Sequence, residues 1–306
     1  MRTDIRGDAI IIGAALVYGT GLVAQSSGNS MGPWSFASAG FLLGAAALFP
    51  VVLYHRIKKS TAERAKDRSI REMVTGALAV AAVLVICVIT QQYGLIYTSV
   101  GKAGFITSLY VIEVPIAGLF LFKRRLSWRI WIAAAISMTG LYFVSITEGI
   151  ESVNSGDVLL LITSFSYVAY MYQMEHYAKD SDPLTFTLLT TFFTGLMCLP
   201  CAVVFEDCTY DMLKEAIVPV LYAGIVIHAV GYTLQMTGQK YVPAERATVL
   251  LSMESLFSLF AGMIILDESL SLREYFGCAL IFVAVMLAVT NKSEKDSGST
   301  DSLRER

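Results

Sequence analysis

The sequence predicts an all-α integral membrane protein whose ten transmembrane helices form two inverted five-helix repeats. Three observations predict this fold class: an apolar composition, ten apolar segments and an internal repeat. Of the 306 residues, 55% are hydrophobic and only 16% are charged, and the mean hydropathy is +0.61. Soluble domains carry about 25% charged residues. The composition therefore indicates a lipid bilayer as the environment of this chain.

The ten apolar segments are separated by polar residues, glycine or proline. A helix needs about 20 apolar residues to cross a hydrocarbon core of about 30 Å. The first five segments are 8–24, 34–54, 73–95, 101–122 and 128–146. The second five are 156–174, 184–205, 213–236, 245–266 and 272–289. We therefore expect one repeat in residues 1–147, a second in 156–290, and a polar, disordered cytoplasmic tail in 291–306.

The distribution of lysine and arginine predicts the orientation of the helices. With the N-terminus in the cytoplasm, 20 of the 23 basic residues fall in inner segments, and only Lys102, Lys214 and Arg273 fall outside. Inner loops of membrane proteins carry such an excess of basic residues. We therefore expect a multi-pass protein of the inner (plasma) membrane with both termini in the cytoplasm.

The internal repeat is clearest between residues 91–129 and 235–273, which align without a gap at an offset of 144 residues. Ten of the 39 aligned positions are identical, including Gln91 with Gln235 and Ser108 with Ser252. Earlier in each half the offset is 149, and Gly7-Asp8 recurs as Gly156-Asp157. Matched polar residues over this length favour duplication over a chance likeness of two apolar helices.

The number of segments in each repeat determines how the two repeats are related. Five helices are an odd number, so the second repeat must begin on the opposite face of the membrane. Inverted repeats place a shared site near the bilayer midplane and expose it to each side in turn. Alternating access is therefore the expected mechanism.

Two carboxylates lie within predicted spans, where a charge costs about 3 kcal/mol or more and usually marks a functional pathway. Glu113 lies 11 residues after Lys102, and Glu254 lies 8 residues after Arg246. At 1.5 Å per residue, each is roughly 12–15 Å from a helix end. The repeat aligns Glu254 with Tyr110, which is three residues before Glu113 on the same helix face. Both carboxylates are candidates for substrate or proton binding, and the alternative is a structural carboxylate bonded to a neighbouring helix.

Other polar and aromatic side chains share faces of the predicted spans. His228 lies in the middle of the eighth span, and a histidine can change its charge near neutral pH. Aromatic stripes also pack in helix cores, which is the alternative for each tyrosine taken singly. The candidate substrate-binding residues are Tyr18, Gln25, Gln91, Tyr110, Glu113, Tyr167, Tyr170, His228, Tyr232, Gln235 and Glu254.

The sequence argues against several other chemistries. Residues 28–32 read Gly-Asn-Ser-Met-Gly, but the hydrolase GxSxG motif requires a preceding strand, and here it falls in a short loop. The five cysteines are an odd number, mostly within spans, which disfavours a disulfide framework or a metal site. We therefore expect no catalytic residues, no cofactor and no metal, and the lack of a basic patch predicts no nucleic-acid partner.

Two stretches of the chain resemble a known family. These are Gly101–Thr107 (GKAGFIT), followed by Tyr110-Val111 and Val114-Pro115, and Leu266–Ser271 (LDESLS). They resemble the EamA-type family of the drug/metabolite transporter superfamily. The resemblance implies ten helices, a central cavity lined by the first, third, fourth, sixth, eighth and ninth, and movement of small metabolites, often amino acids and often by export. The family commonly has Glu-Pro where this chain has Glu254-Ser255.

These observations together predict a secondary transporter, a permease that exports small metabolites such as amino acids. We expect a small-molecule substrate and the lipid bilayer as partners, and either the substrate gradient or proton coupling as the driving force. The alternatives are an importer or exchanger of another small-metabolite class, or a membrane sensor that does not transport.

Overall fold

A computed structural model of the chain describes residues 2–21, 31–58, 68–146, 154–207, 209–266 and 271–290. Within these ranges the chain is helical, with no strand. In the first half, the helices are α1 (Arg2–Gly19), α2 (Pro33–Lys58), α3 (Ile70–Tyr97), α4 (Val100–Thr107), α5 (Tyr110–Phe120) and α6 (Trp128–Ser145). In the second half they are α7 (Ser155–Ala178), α8 (Pro183–Phe205), α9 (Tyr210–Tyr222), a π-helical segment (Ala223–Gly231), α10 (Tyr232–Gln239), α11 (Ala244–Leu251), α12 (Met253–Leu266) and α13 (Leu272–Thr290).

Every predicted apolar segment overlaps helical structure, and the polar residues around it set where the helices begin. Ser69 caps α3 reciprocally with Glu72, and Asn154 caps α7 in the same way with Asp157. Each pair satisfies backbone N–H groups that have no partner within the helix. These caps therefore fix the residues at which α3 and α7 begin.

Six stretches of the described residues are both long and apolar enough to cross a membrane. They are Pro33–Lys58, Ile70–Tyr97, Lys102–Phe120, Pro183–Phe205, Tyr210–Gln239 and Leu272–Thr290. Large apolar side chains such as Phe120, Leu121, Val203 and Phe205 are exposed on the outside of the bundle. An apolar exterior is what a bilayer requires. The protein is therefore an integral membrane protein, and the full count of ten spans stays a prediction.

The fourth and ninth segments are each broken near the middle, a feature that their apolar composition does not reveal. The first break separates α4 from α5 at Ser108 and Leu109, and the second separates α11 from α12 at Ser252. The Ser252 hydroxyl donates to the carbonyl oxygen of Val249 at 2.6 Å. Such bonds compete with the helical pattern and bend helices. The two breaks fall at the matched serines of the repeat.

Helices from different halves approach each other closely at small residues. A Cβ on Gly94 of α3 would lie 3.3 Å from the carbonyl oxygen of Gly156 in α7. At the corresponding place, a Cβ on Gly7 of α1 would lie 3.5 Å from the carbonyl oxygen of Gly238 in α10. Small residues allow this approach in membrane proteins, where van der Waals contact holds helices together.

The close packing of α6 on α13 predicts that Gly140→Ala destabilises the protein. The new Cβ would lie 2.8 Å from the Gly277 carbonyl oxygen and 3.0 Å from the Ile281 backbone nitrogen, and neither atom can rotate away. We expect a loss of about 1–3 kcal/mol from overpacking, more than the gain of about 1 kcal/mol that alanine brings to a helix. Thermal unfolding in detergent measures this as a lower Tm. Gly13→Ala is the control, because its Cβ would meet only Leu234 Cδ1 at 4.0 Å, and equal Tm values would contradict the prediction.

Candidate functional site

A cavity lies between the two halves. It contains about 870 Å³ of empty space, including the part that is open to solvent. Its walls come from the first, third, fourth, sixth, eighth and ninth predicted segments, the six that the family resemblance implied. The lining residues are Tyr18, Gly21, Gln91, Gly104, Thr107, Ser108, Tyr110, Tyr167, Tyr170, Met171, Ile227, Tyr232, Gln235, Leu251, Ser252, Glu254 and Ser255.

Five tyrosine rings form a continuous arc on the cavity wall. Ring centroids are 5.7 Å apart between Tyr110 and Tyr167, and 6.0 Å apart between Tyr167 and Tyr170. The arc continues to Tyr232 at 6.3 Å and then to Tyr18 at 5.7 Å. Aromatic rings prefer tilted and edge-to-face contacts at these separations. The arc is a preformed aromatic surface made by four helices, α1, α5, α7 and α10.

Two of these tyrosines are held by glutamines from the other half of the chain. The Tyr18 hydroxyl donates to Gln235 Oε1 at 2.7 Å, and the Tyr167 hydroxyl donates to Gln91 Oε1 at 3.1 Å. The repeat aligns Tyr18 with Tyr167 and Gln91 with Gln235. The same bond therefore occurs at two corresponding places in the cavity wall.

The hydroxyl of Tyr170 has no hydrogen-bond partner among the described residues, although the side chain is only 2% exposed. A buried hydroxyl without a partner costs free energy. Glu254, on the wall formed by α12, likewise has no hydrogen bond or ion pair within the described part of the chain. The cavity wall thus contains two polar side chains without a hydrogen-bond partner among the described residues, and the Tyr170 hydroxyl is itself buried.

Eight of the eleven predicted site residues line the cavity: Tyr18, Gln91, Tyr110, Tyr167, Tyr170, Tyr232, Gln235 and Glu254. Glu113 is not among the lining residues, and its carboxylate accepts a hydrogen bond of 2.6 Å from Ser164. His228 lies behind the wall, stacked on Phe41 with ring centroids 3.8 Å apart. Gln25 lies outside the described residues. The roles predicted for these three stay predictions.

Sequence reasoning did not single out Ser108 and Ser252, which line the cavity where α4 and α11 end. Their identity in the repeat alignment is the signal that could have found them. Ser252 also accepts a hydrogen bond of 2.8 Å from Ser137 of α6. Discontinuous helices are a recurring feature of substrate sites in membrane transporters.

Two buried ion pairs join the halves of the chain. Lys102 of α4 donates to Asp157 of α7 at 2.8 Å, and Arg246 of α11 donates to Asp8 of α1. The repeat aligns Asp8 with Asp157 and Lys102 with Arg246. Lys102 is thus engaged with Asp157. In the sequence, the repeated Gly-Asp pair already marked Asp8 and Asp157 as corresponding positions.

A third ionic cluster connects the loop before α6 with the second half. Arg124 Nη1 lies 2.8 Å from Glu175 Oε2 and 3.1 Å from Glu245 Oε1. The Tyr172 hydroxyl also donates to Glu245 Oε1 at 2.9 Å. Burial lowers the pKa of Arg124, but the two carboxylates raise it by more, so this pKa lies above its ordinary value. The guanidinium stays charged and bridges α7 and α11.

No group of three or more His, Cys, Asp or Glu side chains in the described ranges is placed to hold a metal ion. The groups that the cavity presents are hydroxyls, amides, aromatic rings and one carboxylate. Such a set suits the reversible binding of a small organic molecule.

Comparison with known proteins gives a consistent result. The model of the EamA-like transporter family matches residues 5–146 and 154–290. An uncharacterized transporter of Archaeoglobus fulgidus is 30% identical over 197 residues, which are 64% of this chain and 63% of that protein. The uncharacterized transporter YwfM of Bacillus subtilis is 22% identical over 297 residues, 94% of each chain. One crystal structure matches with a TM-score of 0.77 at 17% identity, covering 92% of this chain and 96% of the other, and it shares the fold.

Removal of one partner from the Lys102–Asp157 pair should destabilise the protein. Asp157→Asn leaves the buried ammonium of Lys102 without its carboxylate, and breaking a buried pair in this way costs about 3–5 kcal/mol. The double variant Lys102→Met/Asp157→Asn removes both charges of this pair and should recover much of that loss. Thermal unfolding of both single variants and the double variant in detergent measures the coupling. A double variant as unstable as the sum of the single changes would show that the two charges do not interact.

Proposed function

This chain belongs to the EamA-like transporter family, and we propose that it is a secondary transporter that exports small metabolites, such as amino acids, by alternating access. It is a membrane transporter rather than an enzyme. The observation that carries the proposal is the aromatic and polar cavity between the two halves. A site shared by two halves can be exposed to either side when one half moves against the other.

The way in which the halves pack supports an inverted-repeat arrangement. In the repeat alignment, α1 corresponds to α7, and the α10, α11 and α12 set corresponds to α3, α4 and α5. Helix α1 packs on α10, α11 and α12, and α7 packs on α3, α4 and α5. Likewise α2 packs on the π-helical segment, and α8 packs on α3. Exchange of the two halves therefore exchanges their contacts, as a twofold axis requires.

The two cross-half ion pairs supply a mechanism for alternating access. The predicted topology places Lys102–Asp157 at the outer end of the cavity and Asp8–Arg246 at the inner end. Each pair joins the first helix of one half to the fourth span of the other. Opening of one end breaks one pair, while the other pair keeps the opposite end closed. In this proposal the pairs are the outer gate and the inner gate.

The basic residues of the inner segments support placement in the inner membrane with both termini in the cytoplasm. Glu113, Glu254 and His228 are the groups that we propose for proton coupling. Glu254 faces the cavity, whereas Glu113 is bonded to Ser164 and His228 is stacked on Phe41. A coupled proton would therefore compete with substrate most directly at Glu254.

Counterflow in proteoliposomes tests for transport and identifies the class of substrate. The purified protein is reconstituted, and a panel of labelled amino acids and other small metabolites is offered with and without a pH gradient. We expect accumulation of one class, and right-side-out vesicles distinguish export from import by the direction of net flux. No accumulation of any compound by protein with a normal Tm would argue against transport and favour a membrane sensor.

Glu113→Gln and Glu254→Gln test proton coupling. Glutamine keeps the shape of the side chain but cannot ionise, so we expect normal expression with an altered rate of transport or an altered dependence of that rate on pH. Initial rates measured across pH in each variant give the result. Unchanged kinetics in both variants would remove these carboxylates from the mechanism.

Gate variants test alternating access. Ser108→Cys is introduced after the five native cysteines are replaced, and a membrane-impermeant maleimide is applied from either side. The outer-gate variant Lys102→Met/Asp157→Asn should increase labelling from outside. The inner-gate variant Asp8→Asn/Arg246→Met should increase labelling from inside. Equal labelling from both sides in both variants would contradict the gate assignment.

A further inference from the structure

The described wall of the cavity carries one acidic side chain and no basic one. Among its lining residues Glu254 is the single charged side chain, and the described part of the chain places no lysine, arginine or histidine on the wall. The basic side chains at the two ends, Lys102 and Arg246, already bind Asp157 and Asp8. An ionised Glu254 therefore has no cation from the described residues beside it. In a low-dielectric site an unpaired charge is costly, and a ligand of opposite sign can supply the partner.

The aromatic arc also favours a positively charged ligand. Ring faces carry negative potential and attract an ammonium group that lies within about 6 Å of a ring centroid. Tyr110, Tyr167, Tyr170, Tyr232 and Tyr18 are linked by ring contacts of 5.7 to 6.3 Å, so a cation between two neighbouring rings lies within that distance of both centroids. Several tyrosines around one site form the kind of aromatic cage that binds ammonium groups.

The hydrogen-bonding groups of the cavity favour a ligand that donates hydrogen bonds. The Tyr170 oxygen is buried and unpartnered among the described residues. The Glu254 carboxylate can only accept when it is ionised. The amide oxygens of Gln91 and Gln235 are already taken by Tyr167 and Tyr18. An ammonium group has N–H donors for the Glu254 carboxylate and for the hydroxyl oxygens that line the cavity.

We propose that the cavity binds organic cations, and that it selects an amine whose ammonium group lies between Glu254 and the tyrosine rings. This inference rests on the proposed transport function, whose substrate class it narrows. An amino acid can place its own ammonium group there, but its carboxylate then meets no cation on the wall. An amine that lacks the carboxylate therefore binds more tightly than the corresponding amino acid.

Matched amine and amino-acid pairs test the selection by binding, without any need for transport. The probes are tyramine with tyrosine, histamine with histidine, and agmatine with arginine. Each is titrated against the purified full-length protein while Tm is recorded, because a ligand that binds the folded state raises Tm. We expect at least one amine to raise Tm at a concentration roughly tenfold or more below that needed for its amino acid. Stronger stabilisation by the amino acids, or by anions, would overturn the proposal.

Two sets of variants locate the binding. Glu254→Gln should weaken amine binding by about tenfold or more, because a hydrogen bond to a charged group is lost. Glu72→Gln, on an exposed helix end, removes the same charge and keeps its capping role, so it should leave binding unchanged. Tyr110→Phe keeps the ring and should retain affinity, whereas Tyr110→Leu should lose roughly fivefold or more. Amine binding that is equal in the Glu254→Gln and Glu72→Gln proteins would also overturn the proposal.

The outcomes separate this inference from the transport proposal. Transport of amino acids without any binding of amines would contradict cation selection and leave the transporter standing. Amine binding that depends on Glu254, without counterflow of any probe, would support the cation site and contradict transport through it. Binding and counterflow of the same amine would support both.

Discussion

The two halves of this protein meet under one constraint: a charge in a low-dielectric interior needs an opposite charge in good geometry. Asp8 lies in the first helix of one half and Asp157 in the first helix of the other, and each binds a basic residue of the opposite half, Arg246 or Lys102. These buried carboxylates take their basic partners from across the interface, so the ion pairs hold the halves together. The positions of α1 and α7, and hence of the cavity wall, depend on these pairs.

Between the ion pairs, the interface follows from small residues and matched polar bonds. Gly94 and Gly238 let α7 and α1 come close to the third and eighth spans. At that distance Tyr167 reaches Gln91 and Tyr18 reaches Gln235 from the opposite half. These bonds hold the hydroxyls of two rings of the arc. The aromatic surface is thus held by the same contacts that hold the halves together.

The cavity has the chemistry of a binding site because polar groups line it. The serines at the two helix breaks, the Tyr170 hydroxyl and the Glu254 carboxylate belong to its wall, and the Glu254 carboxylate has no hydrogen-bond partner among the described residues. Ionisable groups inside a membrane protein usually mark a functional pathway. The residues of the ionic clusters, including Arg124 with Glu175 and Glu245, are not among the lining residues of the cavity.

The sequence by itself determined the membrane class, the positions of the helical segments, the alignment of the halves and eight of the residues that line the cavity. These properties follow from hydropathy, helical periodicity and matched polar positions, which can be read along the chain. The tertiary structure alone decided that Glu254 faces the cavity while Glu113 bonds to Ser164, although both lie at similar depth. It also decided that Lys102 pairs with Asp157, and that the fourth and ninth spans break at Ser108 and Ser252. The physical reason is that these outcomes depend on contacts between helices far apart in the chain, and local composition carries no information about which neighbour a side chain meets.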